Sequence, residues 1–318
     1  LAIDIMLSGL ILFSNMRTTT NITFESAGAT LAGTLTRATG DEPAPAALIL
    51  AGSGPLDRDG NIKRLPLGVS RDLAELLAES GWSSLRFDKR GIGASEGDYQ
   101  STGFFAELAD AEAALTWLKT QPDMGPIVVV GHSVGAIYAG ELASRHPDLA
   151  GVVLLATSTK TGRETLEWQG EKLEAVVPAP ARLLMRLFRT SLVKQQAKNL
   201  RKLEATTTDV ARVQMVKINA RWMREFMAHD PKEALANAKV PLLAITGEKD
   251  IQVDDEDLVV VAQLVPHAEV SALPDLDHSL RKEAAKVSNP RKYKKQIEKP
   301  IDERVIRLIL QFLDSVGG

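Results

Sequence analysis

No cysteine occurs among the 318 residues, which removes disulfides, thiolate metal sites and a cysteine nucleophile together. A charge of one sign is also missing. Lys and Arg number 38 against 41 Asp and Glu, a formal net charge of −3, with both signs spread along the chain. No polyanion-binding field follows, and nucleic acid is not expected as a partner. The run Ile5–Phe13 is too short to span a bilayer. It also lacks the basic leading segment and small-residue cleavage site of a signal peptide, since Asp4 is the only early charge. Met16 followed by Arg17 reads as a natural start, so residues 1–16 are expected to be an N-terminal extension and the protein cytoplasmic. Membrane association or export through that run is the alternative.

The rest is an ordinary globular composition, 44% apolar and 25% charged, sufficient for one large domain or two. From residue 46 onward, short β-branched runs alternate with amphipathic stretches, the pattern of a mostly parallel sheet covered by helices. The expected strands are 46–50, 83–87, 127–130, 152–155, 242–246 and 269–273, preceded by an antiparallel edge hairpin at 21–24 and 30–35. Ser70 is placed to cap a helix ending at Gly81, a second helix starts after Ser101, and the last begins at Asp302. Residues 160–238 break the alternation and read as an insertion of several helices without a convincing strand. They hold 15 Lys or Arg against 9 Asp or Glu, read as solvated helix faces rather than an anion site. Arg281 to Pro300 is polar, basic and carries two prolines, and reads as a solvated loop.

A nucleophilic serine at a strand-to-helix turn needs small residues two positions to either side, the G-x-S-x-G pattern. Chance supplies that pattern in about one chain in ten of this length, and it occurs here twice. Gly93-Ala94-Ser95-Glu96-Gly97 has no strand immediately before it and no helix immediately after, and reads as a loop. Gly131-His132-Ser133-Val134-Gly135 follows the strand Pro126–Val130 and opens a helix, so Ser133 is the candidate nucleophile. A serine hydroxyl needs a base to take its proton and a carboxylate to orient that base. Of five histidines, His278 emerges after the last strand, at the same sheet edge as Ser133; His132, His146, His229 and His267 have no such placement. The acid is expected after the preceding strand, at Asp250. Asp254, Asp255 and Asp257 suit the first turn of the next helix, where carboxylates favour the dipole. Two backbone amides should receive the oxyanion: Val134, and Ser53 with Gly54 as its alternative, in the turn after strand 46–50. No metal-ligand spacing or dinucleotide pattern appears, and no cofactor is expected.

These segments together resemble an α/β-hydrolase esterase from about residue 20 onward. The similarity is greatest to serine aminopeptidase-like hydrolases with a G-S-G-P-x-D-R-D-G oxyanion loop, here Gly52-Ser53-Gly54-Pro55-Leu56-Asp57-Arg58-Asp59-Gly60. The D-x-R-G-x-G-x-S loop matches as Asp88-Lys89-Arg90-Gly91-Ile92-Gly93-Ala94-Ser95, whereas Ala51 stands where many relatives have histidine. The resemblance implies a hydrolase core at 17–159 and 239–318 and a helical cap at 160–238. The expected activity is hydrolysis of short to medium acyl esters through an acyl-enzyme. Amide, peptide or thioester hydrolysis, or acyl transfer, on the same triad is the nearest alternative, and a non-catalytic ligand-binding protein is the remote one. A small-molecule ester is the expected partner, with no obligate membrane partner; the oligomeric state is left open.

Overall fold

Strands without polar alternation can be buried only on both faces, and the central strands of this chain are placed so that helices cover each side. The computed structural model describes residues 18–317 apart from 39–42, 64, 189 and 290–292. The Ile5–Phe13 run and the expected extension at 1–16 therefore lie outside the described residues. In chain order the elements begin with β1 (Thr18–Ser26), β2 (Ala29–Arg37), β3 (Ala44–Leu50), α1 (Val69–Glu79) and β4 (Ser83–Phe87). They continue with α2 (Phe104–Lys119), β5 (Met124–His132), α3 (Val134–Arg145) and β6 (Gly151–Leu155). Next come α4 (Gly162–Ala175), α5 (Ala179–Leu187), α6 (Leu192–Glu204), β7 (Val210–Val213), β8 (Val216–Asn219), α7 (Ala220–Ala228) and α8 (Lys232–Asn237). The chain closes with β9 (Leu242–Gly247), α9 (Asp257–Leu264), β10 (Glu269–Leu273), α10 (Tyr293–Gln296) and α11 (Glu303–Val316).

Eight of these strands form one sheet in the order β1-β2-β4-β3-β5-β6-β9-β10. β1 pairs antiparallel with β2 and β2 with β4, while the remaining neighbours are parallel. Alternate residues divide between two cores: Leu48, Val129, Leu154 and Ala244 face α2, α3 and α9, while Ile49, Val130, Val153 and Ile245 face α1 and α11. Each such buried Leu, Ile or Val side chain contributes about 1.5–3 kcal/mol relative to exposure. Because β3 lies between β4 and β5, consecutive crossovers leave it in opposite directions. The crevice at the carboxyl ends of β3 and β5 is the topological switch point at which such sheets bind ligands.

Three local expectations need correction. Gly68, at φ 65°, occupies the N-cap of α1 and donates its N–H to Asn61 Oδ1 at 3.0 Å, so Ser70 lies inside the first turn instead of capping it. Within 160–238, β7 and β8 form an antiparallel hairpin that hydrophobic periodicity does not reveal. Its tight turn puts Gln214 and Met215 at φ 49° and 68°, the type I′ pattern without the Asn-Gly or Asp-Gly signature that normally announces it. Two sets of hydrogen bonds tie this interval to the rest of the molecule. Ser158, Thr159 and Lys160 all donate to the buried Asp257, whose expected part was a helix-terminal charge, while Asp254 and Asp255 precede α9. At the end of β8, Asn219 Nδ2 donates to Tyr99 O at 2.7 Å and Thr102 O at 2.6 Å, in the segment between β4 and α2.

The third correction concerns the described residues of 281–300, which are not a solvated loop throughout, since Arg281, Glu283, Ser288, Tyr293 and Gln296 are buried. Arg281 is only 1% exposed. A buried guanidinium is tolerated only when its N–H groups find acceptors, and these do. Nε donates to Lys299 O (2.8 Å), Nη1 to Ser279 O (2.8 Å), and Nη2 to Leu67 O (3.1 Å) and Asp72 Oδ2 (2.8 Å). One side chain thus joins the segment after β10 to the entry of α1. Arg281→Met should destabilise the fold by about 3 kcal/mol, because the half-buried Asp72 carboxylate and three carbonyls lose their donor. Urea unfolding at neutral pH measures the loss, and an unchanged midpoint would contradict it.

Candidate active site

At the end of β5 the chain must reverse into α3 within two residues, and the backbone at Ser133 takes φ 57° and ψ −123° to do so. A non-glycine residue held there stores about 1–3 kcal/mol of strain, so its surroundings must fix it. Ser133 N donates to Leu155 O at 2.8 Å, and Ala136 N donates to Ser133 O at 2.9 Å. The flanking glycines are dictated by space. A Cβ on Gly131 would lie 2.1 Å from Gly135 O, and one on Gly135 would lie 2.2 Å from Leu50 O. The turn is therefore pressed against the end of β3, and Ser133 is left partly exposed above it.

His278 and Asp250 come from the loops after β10 and β9. His278 Nδ1 lies 2.7 Å from Asp250 Oδ2, with the Asp250 side chain fully buried. Asp250 Oδ1 accepts the amides of Gln252 (2.7 Å) and Val253 (3.0 Å), so the carboxylate faces donors on both oxygens. A proton on His278 Nδ1 directed at this carboxylate leaves Nε2 bare, the tautomer of a general base. His278 and Ser133 border one cavity of about 190 Å³. His132, the elbow residue before Ser133, points to the His278 carbonyl, with Nε2 2.8 Å from that oxygen. Burial, with His278 beside it, pushes the His132 pKa down to about 3, so the ring is neutral and Nε2 carries its proton as a donor to the carbonyl. His132 thus supports the backbone of His278. His146, His229 and His267 lie elsewhere, against Glu112, Glu141 and the Val240 carbonyl.

The two amides expected to receive an oxyanion are brought to one place. Val134 is the first residue of α3, so its N–H is one of the helix donors with no acceptor within the helix. Ser53 and Val134 border the same second cavity of about 150 Å³, which Ser133 also borders, whereas Gly54 lines neither cavity. The loop carrying Ser53 is anchored by its charged residues. Asp57 Oδ1 accepts the amides of Asp59 and Asn61, Asp59 accepts Arg86 Nε at 2.8 Å, and Arg58 Nη2 donates to Asp88 at 2.6 Å. Asp88 Oδ2 also accepts Ala94 N at 3.0 Å, so the two charged loops are tied to each other. The second G-x-S-x-G serine is part of this frame: Ser95 Oγ donates to Asp88 O (2.7 Å) and accepts Ala32 N (2.9 Å), which pins its loop to β2.

Residues that sequence reasoning did not select also converge here. Gln252 borders both cavities, Tyr293 borders the larger, and Gln169 of α4 borders the smaller. Asp277 orders the His278 turn by accepting Ser279 N, Ser279 Oγ and Arg281 N, and Gln296 Nε2 reaches its other oxygen. An acidic residue adjoining the histidine was the one available signal; the others meet only through long-range packing. Among the described residues no cluster of His, Asp and Glu could hold a metal ion, and no helix is long and apolar enough to cross a membrane.

Asp88 gives this frame a pH dependence. Burial alone would raise its carboxyl, but the Arg58 guanidinium and the Ala94 and Arg58 amides outweigh that and hold it below the usual carboxylate range. A depressed folded-state pKa means that this stabilisation is complete above about pH 4 and is lost as pH falls further through the folded value. Urea midpoints of Asp88→Asn should therefore lie below those of the parent at neutral pH and fall less steeply between pH 4 and 2. Parallel acid limbs would contradict this role.

Similarity to known proteins extends over most of the chain. Residues 67–285 match the family model described as serine aminopeptidase, S33. Esterase EstD of Thermotoga maritima is 28% identical over 286 residues, which cover 89% of this chain and 65% of that protein. The chain therefore spans less than two thirds of that relative. In fold, the chain is similar to Est1E of Butyrivibrio proteoclasticus, solved with ferulic acid, at TM-score 0.64 and 16% identity, covering 93% of this chain and 98% of that one. It is also similar to the Pyrococcus furiosus esterase Pf2001, at TM-score 0.63 and 18% identity, covering 95% and 92%. With more than two thirds of its length matched by the family model and an α/β-hydrolase sheet beneath the site, the chain belongs to the serine aminopeptidase S33 family of α/β-hydrolases.

Proposed function

We propose that the protein is a serine carboxylesterase that works through an acyl-enzyme, with Ser133, His278 and Asp250 as its triad. In acylation Ser133 Oγ forms a bond to the ester carbonyl carbon as its proton passes to His278 Nε2, and the Ser53 and Val134 amides receive the oxyanion. Collapse breaks the bond to the alkoxide, which leaves with the His278 proton. Water then repeats the sequence, freeing the acid and restoring Ser133. Asp250 holds the imidazole and stabilises its cation. The segment Gly52–Gly60 acts as the oxyanion loop, and residues 160–238 act as a cap over the carboxyl edge of the sheet.

The observation that carries this proposal is the His278–Asp250 pair at 2.7 Å beside a cavity that a strained Ser133 also borders. Ester hydrolysis is favoured over aminopeptidase action by the walls of the two cavities. Recognition of a free α-amino group calls for a carboxylate, and among the described residues neither cavity is lined by Asp or Glu. The walls are mainly apolar and each cavity is small. A cavity of about 150 Å³ is the size that accommodates benzene, which favours short and medium acyl groups.

With nitrophenyl esters of two to sixteen carbons, kcat/KM should peak among the short to medium chains and fall toward the long end. Neighbouring chain lengths should differ by about 1 kcal/mol per methylene or somewhat more. A maximum at the long end, or activation by an oil interface, would make the enzyme a lipase. Asp250→Asn should lower kcat by about 10⁴, since the imidazole loses its required tautomer, whereas Asp255→Asn should retain most activity. A silent Asp250→Asn would place the acid elsewhere.

A further inference from the structure

The two cavities are neighbours with a shared boundary, and among the described residues only Ser53, Ser133 and Gln252 border both. Two of these belong to the proposed chemistry. Gln252 does not, yet it is fixed from three directions: its N–H donates to Asp250 Oδ1 (2.7 Å), its carbonyl accepts Gln169 Nε2 of α4 (2.7 Å), and its Nε2 donates to Tyr293 Oη (3.2 Å). Burial raises the Tyr293 pKa, so that hydroxyl stays protonated and cannot become a phenolate beside the cavity.

The proposed reaction tells the two sides apart. A leaving alkoxide must receive its proton from His278, which borders only the 190 Å³ cavity, whose apolar wall is made by Leu56, Ile62, Leu65 and Leu67. The carbonyl oxygen must lie at the Val134 amide, and Val134 borders only the 150 Å³ cavity beneath Leu166, Met223 and Phe226. We infer that Gln252 is a specificity-determining partition between an acid chamber under α4 and α7 and an alcohol chamber beside His278. This assignment rests on the ester-hydrolase proposal and deepens it. The fitting substrate is an ester whose acid and alcohol are both compact and apolar, each limited separately by its own chamber. With the partition in place, a larger acid cannot borrow room from the alcohol side.

The test is a grid of esters in which acid length and alcohol bulk vary independently, read as kcat/KM ratios within each variant. Gln252→Ala opens the partition, and the ratio of octanoate to butyrate nitrophenyl ester should rise at least tenfold over the parent. Gln252→Met keeps the bulk but loses the Tyr293 bond, and should shift the same ratio in the same direction by less. Met223→Ala should move acid preference while leaving the order of alcohols unchanged, and Ile62→Ala should move alcohol preference while leaving the order of acids unchanged. Crossed effects of Met223→Ala and Ile62→Ala would overturn the assignment, and an unaltered acid profile in Gln252→Ala would overturn the partition. Failure of the esterase proposal itself has a separate signature, namely Ser133→Ala with the parent's turnover on every ester of the grid.

Discussion

The contact between the elbow and the end of β3 governs the rest of the site. Gly135 packs so tightly on the Leu50 carbonyl that even one added carbon would lie 2.2 Å from that oxygen, and Gly131 packs as closely on Gly135. That closeness holds Ser133 at φ 57° and directs the first amides of α3 toward the crevice. It also places the elbow immediately beside Ala51, Gly52 and Ser53, since the same strand that limits Gly135 continues into them. The proposed nucleophile, the helix terminus and the proposed second oxyanion amide are thus set by one steric constraint. The loops after β9 and β10 then need only reach this point from the neighbouring strands.

Those loops have little regular structure of their own, and buried charge with full hydrogen bonding supplies their order. Arg58 and Asp88 connect the loops after β3 and β4, Arg281 connects the His278 turn to α1, and Asp257 receives the chain as it leaves β6 for α4. An apolar cluster would stabilise such loops without fixing their direction. A guanidinium with several fixed acceptors does fix it, and a reacting constellation needs that positional precision. The same principle extends to the two cavities, where Gln252 couples the Asp250 loop to α4 on one side and to Tyr293 on the other.

Much of this architecture is legible in the sequence because its signals are local. The strand before Ser133, the helix after it and the flanking glycines all fall within the one continuous stretch Met124–Arg145, and a buried parallel strand announces itself by composition alone. The strand ends carrying Asp250 and His278 are readable for the same reason. What escapes is contact between distant segments. Arg281 reads as a solvated basic residue because its partner Asp72 is 209 positions away, and Tyr293 meets Gln252 across 41. Hairpin β7–β8 escapes for a different reason: Gln214 and Met215 adopt left-handed backbone without the residue types that usually mark it. Ser70 shows the converse, a good capping residue displaced because Gly68 already turns the chain.

The central claim is that backbone context, and not the G-x-S-x-G pattern, makes a serine nucleophilic. Ser133 stands on a strained elbow beside the His278 cavity, while Ser95 has its hydroxyl committed to Asp88 O and Ala32 N. A fluorophosphonate probe followed by peptide mass spectrometry tests this most directly. One label per chain, on the peptide holding Ser133 and absent from Ser133→Ala, is the expected result; a label on Ser95, or none on the folded protein, would contradict it.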